Sequence, residues 1–141
     1  MALGAELSRS MEAPCIVFLE GDLGAGKTTL VRGFLRERGY TGAVRSPTYT
    51  LVEPYPLTDE TVYHLDLYRL ADAEELEYLG LRDMLQPRNI LLIEWPERGH
   101  GWLPQPDLEL HIRHQLDGRK IMLQANTAAG ERVIRNQNRQ Y

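Results

Sequence analysis

Residues 21–28 read Gly-Asp-Leu-Gly-Ala-Gly-Lys-Thr and match the pattern G-x-x-x-x-G-K-[ST] at every fixed position. By chance such a match arises on the order of once in a few hundred chains of this length, given glycine at roughly 7% of residues. Its residue types answer a chemical need. A triphosphate requires many N–H donors converging on one small concavity, and Gly21, Gly24 and Gly26 permit the tight turns and close backbone approach. The helix that follows adds the partial positive charge of its N-terminus, Lys27 is spaced to reach the β- and γ-phosphates, and the Thr28 hydroxyl to ligate Mg²⁺. Asp22, Gly24, Ala25, Gly26, Lys27, Thr28 and Thr29 together form the expected nucleotide-binding set.

The flanks fit the motif's structural context. Ile16-Val17-Phe18-Leu19 is a short continuous apolar run, the pattern of a strand buried on both faces of a parallel sheet. Thr29–Arg38 reads as an amphipathic helix with Leu30, Val31, Phe34 and Leu35 in one stripe and Gly39 to close it. Ala2–Ser10 reads as a short helix. Residues 42–61 hold Pro47, Pro54 and Pro56 without a clear period and read as a long loop. Val62–Tyr68 reads as a strand. Asp72 with Glu75 resembles a capping box ahead of a short helix, and Leu81–Leu85 reads as a further turn. Ile90-Leu91-Leu92-Ile93 is a second buried-strand run. Residues 107–113 and 120–125 alternate around Asp117-Gly118, which predicts an antiparallel hairpin with a loop longer than two residues. The fold class expected is α/β, a mostly parallel sheet flanked by helices with a C-terminal antiparallel hairpin. Residues 1–130 form one domain, and residues 131–141 are expected to be a fraying tail.

Two acidic residues fall where a metal-bound phosphate would need them. Glu94 ends the second apolar run, and strand C-termini are where α/β sheets bind ligands, so it is a candidate for the Mg²⁺ site or for polarising the attacking water. Asp66 lies late in its strand, on the face of Val62, His64 and Tyr68. It is expected either to pair with Arg69 or to work on the nucleotide. His64 alone reads as structural. Ser46-Pro47-Thr48-Tyr49-Thr50 supplies hydroxyls in a loop able to sense a γ-phosphate, with Thr48 the foremost candidate.

Composition narrows the classes. With 16 basic and 20 acidic residues the net charge is -4, which argues against a protein that coats nucleic acid and leaves no role for DNA. From Glu53 to Glu77 eight acidic residues face one basic residue, Arg69, which reads as a solvated face or as a docking surface for a basic partner. The single cysteine, Cys15, reads as a buried inert thiol and fits a reducing compartment. No apolar stretch approaches the roughly 20 residues of a membrane span and no secretory signal is seen, so a cytoplasmic location is expected. His111 and His114 lie three apart on an expected strand and so on opposite faces, and no zinc site is predicted. The N-K-x-D segment of guanine-specific proteins is absent, which favours ATP.

Taken together, EGDLGAGKTTLVRGFL, SPTYTLVEPY, VYHLDLYRL, ADAEELEYLGLRDML, LLIEWPERG and LPQPDLELHI, in that order from about Cys15 to Ile112, resemble the TsaE family. The resemblance implies a bacterial P-loop ATPase needed for threonylcarbamoyladenosine (t6A) in tRNA. Such proteins bind the TsaB–TsaD pair, in which TsaD transfers the threonylcarbamoyl group to adenosine 37 of ANN-reading tRNAs. ATP binding and hydrolysis are thought to reset that pair between turnovers. On this resemblance Gly24, Gly26, Lys27, Thr28 and Thr29 bind phosphates, and Thr28 and Glu94 serve Mg²⁺. Asp66, in the HxDxYR block, is a candidate for hydrolysis, and Ser46–Thr50 is switch-like. Trp95 reads as core packing. The tRNA partner is expected to be indirect, with the arginines after Gly130 read as solvated. Family chains usually carry a further strand before the first helix, whereas here Met1 falls in that helix. This departure puts in doubt an edge strand there and any adenine contact on it. The rival readings are a free-standing small-molecule kinase and a nucleotide-dependent binding module with negligible turnover.

Overall fold

The computed structural model describes residues 2–21, 26–116 and 118–138. A six-stranded sheet in the order β2-β3-β4-β1-β5-β6 is built from β1 (Cys15–Gly21), β2 (Val52–Pro56), β3 (Thr61–Asp66), β4 (Asn89–Glu94), β5 (Leu108–Gln115) and β6 (Gly118–Ala125). The four inner strands are parallel, and β2 and β6 join antiparallel at the edges. The two continuous apolar runs are the two central neighbours, β1 and β4. Both faces of this pair are covered, which is why these strands show no polar alternation.

On one face lie α1 (Ala2–Ser10), α2 (Lys27–Glu37) and α5 (Ala128–Asn138). Leu7, Leu30, Val31, Phe34, Leu35 and Val133 pack there against Val17, Leu19, Ile90 and Leu92. On the other face the four-residue helices α3 (Glu75–Tyr78) and α4 (Leu81–Met84) bring Leu76, Leu81 and Met84 onto Leu65, Leu91 and Ile93. Among the described residues no helix is long and apolar enough to cross a membrane.

Three expectations are corrected. The stretch 42–61 is not all loop: it contains β2, whose Pro54 and Pro56 are tolerated because an edge strand has one side free of ladder bonds. The hairpin closes directly from Gln115 to Gly118, so its connection is two residues, of which Asp117 lies outside the described residues. The chain beyond Gly130 does not fray through Asn138 but forms most of α5. The Thr127 hydroxyl accepts the Gly130 N–H at 3.2 Å as a helix cap and donates to Asp107 Oδ1 at 2.7 Å. Val133 is 3% exposed. Residues 139–141 lie outside the described residues.

Gly130 is the close-approach point. A Cβ there would overlap the Asp107 carbonyl oxygen, and Asp107 also accepts the Ile16 N–H through Oδ2 at 2.8 Å. Gly130→Ala is therefore expected to unseat α5 and cost about 1–3 kcal/mol of stability, read as a lower urea midpoint. An unchanged midpoint would show that α5 is not anchored at this point. Burial pushes the Cys15 thiol up to about 12, and it is 1% exposed. A thiol reagent at about pH 8 should leave the native protein unmodified and label the urea-unfolded chain fully.

Candidate functional site

Parallel register sets three strand ends side by side. Asp66, the last residue of β3, is opposite Glu94, the last residue of β4, and Glu94 is opposite Leu19 of β1. Two residues later β1 ends at Gly21, and Gly26 precedes α2, which starts at Lys27. Gly26 has φ 89°, a left-handed conformation that turns the chain into the helix at no side-chain cost. The first N–H groups of α2 have no partner within the helix, and Lys27 at its first position reaches Glu94 at the strand ends.

The centre of the crevice is a buried chain of charge. The Lys27 ammonium, 6% exposed, lies 3.5 Å from Glu94 Oε1 and 3.5 Å from the Gly21 carbonyl oxygen. Glu94 Oε2 is 2.6 Å from Nε2 of His64, whose side chain is fully buried. Burial works to raise the Glu94 pKa, but the His64 hydrogen bond and the charges of His64 and Lys27 hold it below its ordinary value. Asp66 goes the other way. Burial raises its pKa and the Glu94 charge adds to this, only partly offset by the Tyr68 N–H donating to Oδ1 at 3.0 Å. Two adjacent carboxylates are thus driven apart, one kept ionised and one made easier to protonate.

Of the residues singled out in the sequence, Lys27, Glu94 and Asp66 meet here. Thr28 follows Lys27 in the first turn of α2 and is half-buried, whereas Thr29 is exposed. Asp22, Gly24 and Ala25 lie outside the described residues. Thr48 is half-buried, with its hydroxyl 2.8 Å from that of Ser46. Its loop reaches the site at Leu51, whose carbonyl accepts the Asp66 N–H at 3.0 Å. Arg69 does not supply the ion pair anticipated for Asp66: its guanidinium stacks 4.5 Å from the centroid of the Tyr49 ring. Glu53–Glu77 is not one uniform face either, since Glu60 pairs with Arg38 at 2.6 Å and Asp66 is buried.

Two participants were missed in the sequence. His64 reads as structural in the sequence, because spacing alone does not reveal that it reaches diagonally to Glu94. Trp95 was read as core packing but is half-buried. Its backbone is left-handed at φ 56° and ψ 50°, and its ring lies 5.1 Å from the Lys27 ammonium and 4.9 Å from Tyr68. That conformation costs on the order of 1–3 kcal/mol for a bulky residue and is typical of a constrained site. Away from this crevice His111 lies with Glu20 and Glu109, their ligand atoms within 4.8 Å of one another, a half-exposed cluster that the His111–His114 spacing did not anticipate. A depression of about 650 Å³ lies between the end of α2 and the β2–β3 turn, at the opposite end of β3 from Asp66.

An ionised carboxylate, an ammonium 3.5 Å from it and a helix N-terminus suit a metal-chelated anion. The hydroxyl of Thr28 and the carboxylate of Glu94 are hard oxygen donors of the kind Mg²⁺ takes. The Lys27 contact is longer than a strong hydrogen bond, so the ammonium can be exchanged from Glu94 to an incoming phosphate.

Comparison with known proteins finds similarity to one family. The model of "Threonylcarbamoyl adenosine biosynthesis protein TsaE" matches residues 1–121. The tRNA threonylcarbamoyladenosine biosynthesis protein TsaE of Haemophilus influenzae is 52% identical over 123 residues, covering 87% of this chain and 78% of that protein. Its namesake from Bacillus subtilis is 38% identical over 117 residues, covering 83% and 72%. The crystal structure of Bacillus subtilis YdiB superposes with a TM-score of 0.82 at 29% identity, covering 99% of this chain and 86% of that one.

The opposite pKa directions carry a prediction. Because the folded pKa of Asp66 is raised, its ionisation costs stability at neutral pH, and this cost disappears below its unfolded value near ~3.9. Asp66→Asn should raise the melting temperature at about pH 7, with the gain shrinking on acidification. Glu94 has a lowered folded pKa, so its contribution is present above the unfolded value near ~4.3 and is lost as pH falls through the folded one. Glu94→Gln should lower the melting temperature at about pH 7 by leaving Lys27 buried and unpaired, a cost of roughly 3–5 kcal/mol. Melting curves that shift in the same direction for both variants would contradict this assignment.

Proposed function

We propose that this chain, which belongs to the TsaE family of threonylcarbamoyladenosine biosynthesis proteins, is an ATP-binding and hydrolysing accessory factor for t6A modification of tRNA, acting on TsaB–TsaD. The observation that carries the nucleotide reading is the buried Lys27–Glu94–His64 chain at the strand tips, beside the start of α2. Lys27 exchanges its contact with Glu94 for the β- and γ-phosphates of ATP, and the N–H groups at the start of α2 donate to the same oxygens. Thr28 and Glu94 hold Mg²⁺, directly or through water. When bound, the ion offsets the negative charge of the phosphates. Glu94, kept ionised, orients the attacking water, with Asp66 beside it as the second carboxylate.

Hydrolysis by the lone chain is slow in this reading. The arginines on the site's rim are engaged on aromatic rings, Arg69 over Tyr49 and Arg98 over Tyr68, so the cation that would offset transition-state charge comes from a partner or from rearrangement. The loop bearing Thr48 is bonded to Asp66 through Leu51 and relays the nucleotide state outward to TsaB and TsaD. The tRNA is met through those partners, and the setting is the cytoplasm.

Lys27→Ala should weaken ATP binding by about 10- to 150-fold, the equivalent of roughly 1.5–3 kcal/mol for a charged hydrogen-bonding group, as read by calorimetry. ATP turnover is measured with and without TsaB–TsaD. Stimulation on mixing is expected. The absence of both stimulation and complex formation would overturn the partner assignment, and efficient phosphorylation of a metabolite by the lone chain would favour a free-standing kinase.

A further inference from the structure

His64 occupies the deepest position of the site, and its surroundings do not explain it as packing. Its side chain is fully buried on the face that also carries Val62, Ile90 and Leu92. Register sets it opposite Leu92, one pleat behind the Asp66–Glu94 pair, so its ring reaches up the sheet to the Glu94 carboxylate. Among the described residues Nδ1 is buried without a hydrogen-bond partner. A phenyl ring would fill similar space without leaving a polar atom unpaired in the core. What the imidazole supplies, and a phenyl cannot, is the Nε2–H donor to Glu94 Oε2 at 2.6 Å.

This bond gains weight once nucleotide is bound. Among the described residues each oxygen of Glu94 has one charged or hydrogen-bonding neighbour, Lys27 on Oε1 and His64 on Oε2. In the nucleotide reading, on which this inference rests, Lys27 moves to the phosphates. Among the described side-chain contacts His64 is then what still holds the carboxylate. An untethered carboxylate is free to rotate about its side-chain bonds, and that rotation removes it from service toward Mg²⁺.

We propose that His64 is a positioning residue, whose Nε2–H keeps the Glu94 carboxylate aimed into the phosphate crevice after Lys27 has left it, so that the share of Mg²⁺-dependent nucleotide affinity that Glu94 supplies rests on this bond. His64 touches neither nucleotide nor metal in this arrangement and acts through Glu94.

The test compares His64→Gln, whose amide nitrogen falls close to the place of Nε2, with His64→Asn, whose amide is too short to reach Glu94. Binding of a non-hydrolysable ATP analogue is measured by calorimetry in EDTA and in excess Mg²⁺. Without Mg²⁺, all three proteins should bind within about threefold of one another, while the Mg²⁺-dependent gain falls at least about tenfold in His64→Asn and is largely kept in His64→Gln. A full gain in His64→Asn, or equal losses in both variants, overturns the proposal. A measurement on the wild type does not depend on the variants folding: ¹⁵N spectra of the imidazole should keep a hydrogen-bonded Nε2–H when Mg²⁺ and the analogue are added. Loss of that signal also overturns the proposal. If the wild type binds no analogue in either condition, the nucleotide reading itself fails. If it binds with a Mg²⁺ gain that the variants do not alter, only the role of His64 fails.

Discussion

A carboxylate buried at the end of an inner strand is expensive unless it is paired, and the arrangement around Glu94 follows from that constraint. Its side chain is 8% exposed, and it is held between an ammonium on one side and an imidazole on the other. Neither neighbour is local in sequence. Lys27 comes from the start of α2 and His64 from the middle of β3, so the pairing exists only when β3, β4 and β1 are correctly aligned in parallel. Charge satisfaction and sheet register therefore depend on each other: a slip of one residue between β3 and β4 would turn His64 to the other face and strand Glu94.

The fold directs this pairing outward. The inner strands point their C-terminal ends the same way, and the helix that follows β1 begins beside them. Strain is concentrated at the same edge. Trp95, immediately after Glu94, is left-handed and heads a short 3₁₀ turn over Pro96–Gly99, and Leu51, also left-handed at φ 69°, bonds to Asp66. The aromatic rings at this edge hold cations, Trp95 beside Lys27 and Tyr68 beside Arg98. These are separable contacts on a rigid sheet, and an anion entering the crevice competes with them directly.

Much of this is legible in the sequence. The apolar runs at 16–19 and 90–93 are strands because both faces of the sheet are covered, and such burial leaves a continuous apolar signature. The helix after Lys27 and the C-terminal hairpin were readable from period alone. The failures share one cause, which is that decisive contacts were non-local. Pro54 and Pro56 concealed β2 because only its edge position makes them acceptable. The C-terminal helix reads as solvated because its anchor is Asp107, about 20 residues away, whose carboxylate accepts the Thr127 hydroxyl. His64 looked like an ordinary core histidine because its partner lies 30 residues downstream. Glu94 and Asp66 were found because each ends a strand, but their opposite charge preferences depend on neighbours that spacing does not reveal.

The central claim is that Lys27 is a mobile partner of Glu94 and His64 a fixed one. A crystal structure with Mg²⁺ and a non-hydrolysable ATP analogue tests it most directly. The account predicts the Lys27 ammonium on the β- and γ-phosphates, well away from Glu94 Oε1, with the His64–Glu94 bond still near its present 2.6 Å. Nucleotide bound elsewhere, or a Lys27 still paired to Glu94 with phosphate held by other groups, would contradict it.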